Sequence, residues 1–489
     1  IWLLNPLALA AISFTVVSLL CAFLWLLLVL RRHPLALLGS MQLFIGGATL
    51  ASDIWADRFS YVFAAMVSPL YDALPENVNA VLSLMGLTVA LCVLPAALGM
   101  GAMFPLTVRV FSRDGKRIGR EVSIVYAGNT LGCLAGAWLA GFALMPTIGM
   151  QGALHAGIAV NLLLAMALYW FAPSPRAGRG ASDRNGDESS GQPSTASPQA
   201  APGAAVNAFA CFCLALVPGL LALLWLATVN PHSPLRWDIS RMTMGTFRLS
   251  LARSVLDREA WGTPELVYYR DGYAATVTVE RWGRNHALKN NGKVEASDGS
   301  DMPTQIMVSA LPLLFHPRGP ANIDAAIVGF GSGVTVGSAL EFPVRSVDVV
   351  EIEPAVVQSS ALFAHVNHLD YTLERYPYLE HPRLNLINDD GRNYLAATRK
   401  RYDVIISEPS NPWLAGVSNL FTTDFFRVGK RKLRPGGIFC QWVQLYEMSP
   451  ENVKVIYRTF ASIFEQVMVF SAEELSSDTI LLGSDSPLP

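Results

Sequence analysis

The chain has 489 residues, of which 52% are hydrophobic, with a mean hydropathy of +0.35 and a net charge of −2. That length accommodates two or more domains, and the hydropathy is high for a chain that meets only water. The missing basic excess excludes a nucleic-acid partner, because a phosphate-binding surface carries one.

Charge is unevenly spread. Residues 1–172 hold 14 of the 74 Asp, Glu, Lys and Arg residues, and the remaining 317 residues hold the other 60, so two different solvents are implied. Five of the six cysteines (Cys21, Cys92, Cys133, Cys211, Cys213) lie in apolar runs and Cys440 in a predicted strand. Neither a disulfide framework nor a metal-ligand spacing results, and no metal is expected.

A bilayer core takes roughly 20 apolar residues as helix. Five runs meet or approach that length, at about 6–30, 34–53, 79–105, 122–146 and 150–172, and a sixth covers about 205–228. The stretch 1–30 has no basic start and too long an apolar run for a signal peptide. Since the first residue is Ile1, further helices upstream of it are expected. Gly128, Gly132 and Gly136 recur at the four-residue spacing that lets helix backbones touch, so close helix packing is predicted there. No ionisable pair stands out at membrane depth, and His155 is read as a packed or helix-end histidine. The expected organisation is a multi-pass helical domain over 1–172, a disordered Ser/Gly/Pro/Ala linker over 173–204, a further transmembrane helix over 205–228 and a connecting segment over 229–261. Arg31, Arg32, Arg109, Arg113, Lys116, Arg117 and Arg120 place two loops on the cytoplasmic side. A lone sixth span would then carry the C-terminal half outside, and the side of that half stays open.

From about 262, alternation in "ELVYYRDGYAATVTVERW" and the "NNG" at Asn290 to Gly292 predict a small antiparallel β subdomain over 262–318 with a tight hairpin. Strands near 323–329, 346–351, 383–387, 403–407 and 437–443 then alternate with helices, as in a parallel sheet covered on both faces, over 319–489. Gly329, Gly331 and Gly333 follow the first of these strands, and Glu351 ends the next, 22 residues after Gly329, where a carboxylate can accept both hydroxyls of a ribose. Asp389 and Asp390 follow the third strand, where a carboxylate can accept from an adenine amino group, and Glu408 follows the fourth. Each of the three is alternatively a solvated turn residue. His365 and His368 read as surface positions rather than metal ligands.

These residues carry a resemblance. From about 262 to 484 the chain resembles the polyamine aminopropyltransferases, the spermidine and spermine synthases. With "LGMGAMFPL" and "GREVSIVYAGNTLGCLAGAWLAG" in front, it is similar to bacterial fused-membrane spermidine synthase-like proteins. The resemblance implies a polytopic α-helical membrane domain followed by an α/β Rossmann-like, class I methyltransferase-type domain with a small N-terminal antiparallel β subdomain. It also implies decarboxylated S-adenosylmethionine as co-substrate, a small amine as acceptor, a lipid bilayer around the helices, a bacterial inner-membrane location and a homodimer as an expectation.

Carried over by position, Gln305 resembles the donor-binding glutamine, Glu351 the ribose-binding glutamate, and Asp390 with Gly391 the adenine-side pair. The family's glycine loop reads GGGDGG, and Ser332 stands where its amine-binding aspartate would be. Thr304 replaces an acceptor-side tyrosine, Glu408 replaces the catalytic aspartate, and Asn411 replaces a second acceptor aspartate beside Ser410. Gln441, Trp442 and Tyr446, in "CQWVQLYEM", are expected to wall the pocket, with packing as the alternative for Trp442. Glu408 either steers the amine proton or holds a cation without doing chemistry. Three functions follow: aminopropyl transfer, methyl transfer from S-adenosylmethionine, and a non-catalytic nucleoside or polyamine sensor or transporter.

Overall fold

A computed structural model of the chain describes residues 34–67, 78–112, 117–171, short pieces between 217 and 225, 236–245, and most of 264–488. The predicted run 6–30, the linker and most of the sixth run lie outside the described residues. The chain divides into two compact units, parting between Asp57 and Arg58, between Val81 and Leu82, and between Trp237 and Asp238.

The N-terminal part is helical: α1 (Pro34–Trp55), α2 (Phe59–Val67), α3 (Val78–Phe111), α4 (Ile118–Leu139) and α5 (Met145–Trp170), of which α2 and the first residues of α3 fall in the second unit and the rest in the first. A five-residue π turn at Ala140–Leu144 and a left-handed Gly149 (φ 76°) interrupt the path from α4 to α5, close to the predicted gap between the fourth and fifth apolar runs. Three stretches are long and apolar enough to cross a membrane by length and composition: Pro34–Met66, Cys92–Phe111 and Ile118–Trp170.

Two expectations for this unit change. A Cβ at Gly128, Gly132 or Gly136 would meet nothing within 4 Å, so among the described residues this glycine face of α4 touches no second helix. Conversely, a buried pair of ionisable side chains is present: Asp53 of α1 (1% exposed) meets His155 of α5 (4% exposed) at 3.0 Å. Gln151 donates to the same carboxylate at 3.3 Å, and the Trp237 indole N–H donates to the Asp53 carbonyl at 2.9 Å. The pair escaped sequence reading because its members lie 102 positions apart and only the packing of α1 on α5 joins them.

In the second unit, β1 (Glu265–Asp271), β2 (Thr276–Trp282), β3 (Asn285–Asn290) and β4 (Lys293–Ser297) form an antiparallel meander. The β3–β4 turn has positive φ at Asn291 (50°) and Gly292 (83°), the geometry that the Asn-Gly pair suits. Helix α6 (Ile239–Met242) precedes this meander, and α7 (Met302–Leu314) follows it.

The large sheet contains β5 (Asp324–Val328), β6 (Ser346–Glu351), β9 (Leu384–Asn388), β10 (Tyr402–Ser407), β11 (Leu433–Gln444), β12 (Gln466–Phe470) and β13 (Asp478–Ser484); two short strands, β7 (Tyr371–Thr372) and β8 (Tyr378–Leu379), pair separately. The spatial order is β12-β13-β11-β10-β5-β6-β9, parallel from β11 to β9, with β13 and β12 antiparallel. Helices α8 (Val334–Glu341), α9 (Pro354–Ser359), α10 (Ala364–Asn367), α11 (Gly391–Ala397), α12 (Thr423–Lys432) and α13 (Pro450–Ala461) complete the unit.

The alternation of strand side chains divides the core in two. Ala325, Ile327, Val404 and Ile406 enter one apolar cluster with Val308 and Val336, whereas Ala326, Val328 and Ile405 enter the other with Phe425, Phe439 and Phe460. Burial on both faces is what made these strands read as near-continuous apolar runs. Chain order reverses between β5 and β10, and in open sheets a ligand crevice forms at such a reversal, beyond the carboxyl ends.

Asp53→Ala leaves His155 buried without its carboxylate and is expected to cost the helical unit about 3 kcal/mol or more. Thermal unfolding of the detergent-purified protein checks this; an unchanged midpoint would deny the pair a stabilising role.

Candidate functional site

Three strand ends converge at the reversal. Glu408 donates its backbone N–H to the Val328 carbonyl at 3.0 Å, and Gly329 donates its own to Val350 at 2.9 Å. Gly329 (φ 97°), Gly331 (φ 56°) and Gly333 (φ 84°) all occupy the left-handed region, and a Cβ at Gly329 would lie 2.6 Å from the Glu408 carbonyl oxygen. Glycine is therefore required at Gly329 by both φ and space. Gly333 is the N-cap of α8. A Cβ at Gly391 would meet Val328 Cγ1 at 2.4 Å, so Gly391 lets α11 lie against β5.

Glu351 sits at the end of β6, 8% exposed, and accepts backbone N–H bonds from Phe330 and Glu353, both at 2.9 Å. Burial outweighs those bonds and pushes its carboxyl up to about 7. Asp389 and Asp390 take local roles: Asp389 accepts from the Asp390 N–H, and Asp390 caps α11 by accepting from the Asn393 N–H, both at 2.8 Å.

Ser332 does not present a free hydroxyl. It is 1% exposed and donates to Gln305 Oε1 at 2.5 Å, while the Gln305 amide donates to the Ser297 carbonyl at 2.9 Å and to Asp301 at 3.2 Å. Ser332 thus holds Gln305 in one orientation. Thr304 is buried beside it on α7. The Asn367 amide, in turn, donates to the Ser332 carbonyl at 2.8 Å.

On the other side of the crevice lies an acidic group. Glu408 is pushed up to about 7 by burial, which outweighs a hydrogen bond from Thr335, and the negative charges of Asp301 and Asp478 add to the rise. Asp478, at the start of β13, is raised to about 6 by burial and by Asp301, against the pull of Lys293. Burial also raises Asp301. The Lys293 ammonium, 3% exposed, pairs with Glu295 at 2.7 Å and lies 6.0 Å from the Trp442 ring centroid. Ser410 donates to Glu295 at 2.7 Å, and the Tyr446 hydroxyl donates to Asn411 Oδ1 at 3.4 Å. Ser407 Oγ, Asn411 Nδ2, Gln441 Oε1 and both polar side-chain atoms of Gln444 are buried without a protein partner among the described residues.

Asp301, Asp478, Lys293 and Glu295 were not singled out from the sequence. Asp301 stands four positions before Gln305, and Asp478 breaks the apolar run "TILLG" at its start, the one sequence signal that could have marked it. His365 and His368 are both exposed, as expected; His365 also meets His286 and Asp298, and His368 takes a left-handed helix C-cap (φ 54°).

A glycine loop, a strand-end carboxylate and a group of acids at the switch point of a largely parallel sheet define a Rossmann-like fold of the methyltransferase type. Residues 302–473 match the spermine/spermidine synthase domain. Putrescine N-methyltransferase 2 of Nicotiana tabacum is 29% identical over 202 residues, covering 40% of this chain and 53% of that protein. The polyamine aminopropyltransferase of Escherichia fergusonii is 31% identical over 192 residues (39% and 62%), and the spermidine synthase of Dictyostelium discoideum 26% over 170 (35% and 56%). The match thus spans between half and two thirds of each relative's length. The crystal structure of spermidine synthase from Thermotoga maritima aligns with a TM-score of 0.39 at 17% identity, covering 45% of this chain and 73% of that one.

Glu408 has a folded value raised above that of the unfolded chain, so the stability it contributes is full at low pH and is lost as pH rises from about 4.3 through about 7. Replacing it by Gln is expected to flatten that fall. Unfolding midpoints of both proteins between pH 5 and 8 test this, and parallel curves would contradict it.

Proposed function

We propose that the chain is a membrane-anchored transferase that moves an alkyl group from an adenosyl sulfonium to an amine, with the aminopropyl group of decarboxylated S-adenosylmethionine as the first reading. The observation that carries it is the pairing of two half-sites in one crevice. Glu351 and the glycine loop offer a nucleoside seat, and Asp301, Glu408 and Asp478 offer negative charge to a cationic amine. Ser407, Asn411, Gln441 and Gln444 add hydrogen-bonding capacity for a polar acceptor.

In this reading the acceptor amine first gives a proton to Glu408. Its lone pair then forms the new C–N bond as the C–S bond breaks, and methylthioadenosine leaves with the electron pair on sulfur. A carboxylate near 7 is poised for that proton, and alignment of the two substrates supplies much of the acceleration. The replacements at Thr304 and Asn411, together with an internal ammonium at Lys293, favour an acceptor other than putrescine.

One observation favours a second reading, methyl transfer from S-adenosylmethionine itself. The hydroxyl of Ser332, held by Gln305, puts no negative charge where the donor's amino-acid carboxylate would lie. The putrescine N-methyltransferases among the relatives lend this reading support. A non-catalytic nucleoside or polyamine sensor or transporter is the third. The same proposal includes a homodimer and a multi-pass location in a bacterial inner membrane, supported by the three apolar stretches.

Mass spectrometry of products after incubation with each donor and a panel of amines separates the readings. An aminopropylated amine is expected from the decarboxylated donor. Glu408→Gln should lower turnover by about 10²–10⁴-fold while methylthioadenosine binding by calorimetry stays unchanged. Turnover unaffected by that change removes Glu408 from the chemistry, and binding of neither donor nor methylthioadenosine ends the proposal.

A further inference from the structure

The β subdomain carries a second cluster that the transfer reaction does not use. Asp298, directly after β4 and with a side chain 2% exposed, has its Oδ2 2.9 Å from His286 Nδ1 and 3.1 Å from His365 Nε2. Its other oxygen, Oδ1, accepts the backbone N–H of His286 at 2.6 Å. One oxygen is thereby fixed by the backbone, and the other faces two imidazole nitrogens. All three ligand atoms lie within 4.8 Å of one another. They come from three separate elements: the start of β3, the loop after β4, and α10. The His286 ring is set edge-on to Phe363 at a centroid distance of 5.9 Å, which holds its nitrogen in place.

We propose that His286, Asp298 and His365 bind a single divalent transition-metal ion of the zinc class. Bonds of about 2.0–2.1 Å set neighbouring ligand atoms about 3.3 Å apart in a tetrahedron, so the two nitrogens need to withdraw from the oxygen by only a few tenths of an ångström. Two imidazoles and one carboxylate suit zinc, cobalt(II) or nickel(II), and do not suit calcium or magnesium, which take oxygen. The carboxylate is buried, with Asp301 near enough to feel its charge. A dication compensates such a buried charge. The His365 side chain is 52% exposed, which gives an entry path and leaves the remaining coordination position to solvent.

The placement gives the ion a role. Asp298 leads into the segment from Ser297 to Gln305, and His365 lies two residues before Asn367, which bonds the Ser332 carbonyl. An ion held by both ties together the two walls that position Gln305 and the glycine loop.

Tag-free full-length protein in detergent, stripped with chelator, is titrated with zinc by calorimetry and with cobalt(II) by visible absorption. One equivalent is expected, with ligand-field bands of low coordination number for cobalt and a raised unfolding midpoint for zinc. His365→Ala, at a half-exposed position where the fold is kept, should weaken binding at least tenfold, and His286→Gln likewise, with methylthioadenosine binding still measurable in both. Absence of binding at micromolar metal, or equal affinity in wild type and His365→Ala, would overturn the site and leave Asp298 as a hydrogen-bond acceptor for two imidazoles. Neither outcome bears on alkyl transfer, because the metal titration needs no substrate.

Discussion

The close passage of Gly329 past the Glu408 carbonyl is the constraint on which the site depends. Strands β5 and β10 are adjacent and parallel, and the chain leaves them in different directions, so the crevice opens where their carboxyl ends part. Only a residue without a side chain can follow Val328 there, because its φ is left-handed and its Cβ would strike the neighbouring backbone. That single approach brings the glycine loop, Glu351 and Glu408 to one edge of the sheet.

Electrostatics then separates the two carboxylates. At the nucleoside side, Glu351 is held by two backbone N–H groups and stands apart from the acceptor-side acids. Around Glu408, burial and the charges of Asp301 and Asp478 raise its carboxyl, burial and Asp301 raise Asp478, and Lys293 is held in its own bond with Glu295. A buried acid cluster of this kind is unfavourable by itself and is relieved by a bound cation. Ser332 and Gln305 are joined by a neutral hydrogen bond, where an acid would have added a further charge.

The strand pattern was legible because each central strand is buried on both faces and reads as an apolar run. The Asn-Gly turn was legible because positive φ selects those residues. The glycine loop and Glu351 could be placed because their spacing follows from one strand-helix-strand unit. Asp301, Asp478 and Lys293 could not be placed in this way. They come from a helix cap, a late antiparallel strand and the meander, and no local period links them. The same limit hid the Asp53–His155 pair and the His286, Asp298 and His365 cluster, whose members are distant in sequence. At Gly128, Gly132 and Gly136 spacing indicates what a helix face permits, and among the described residues nothing lies within 4 Å of a Cβ placed there.

By itself, then, the sequence determined the uneven spread of charge and apolar length, the element order of the C-terminal half and the placing of the glycine loop and Glu351 at strand ends. Composition, period and turn chemistry are local properties, carried by residues within one or two elements. Tertiary structure alone decided which acids gather around Glu408, that Ser332 is spent on Gln305, and that two histidines share one carboxylate. Those are meetings between elements up to 177 positions apart, from Asp301 to Asp478, and only the folded chain sets the distances at which charge and coordination act.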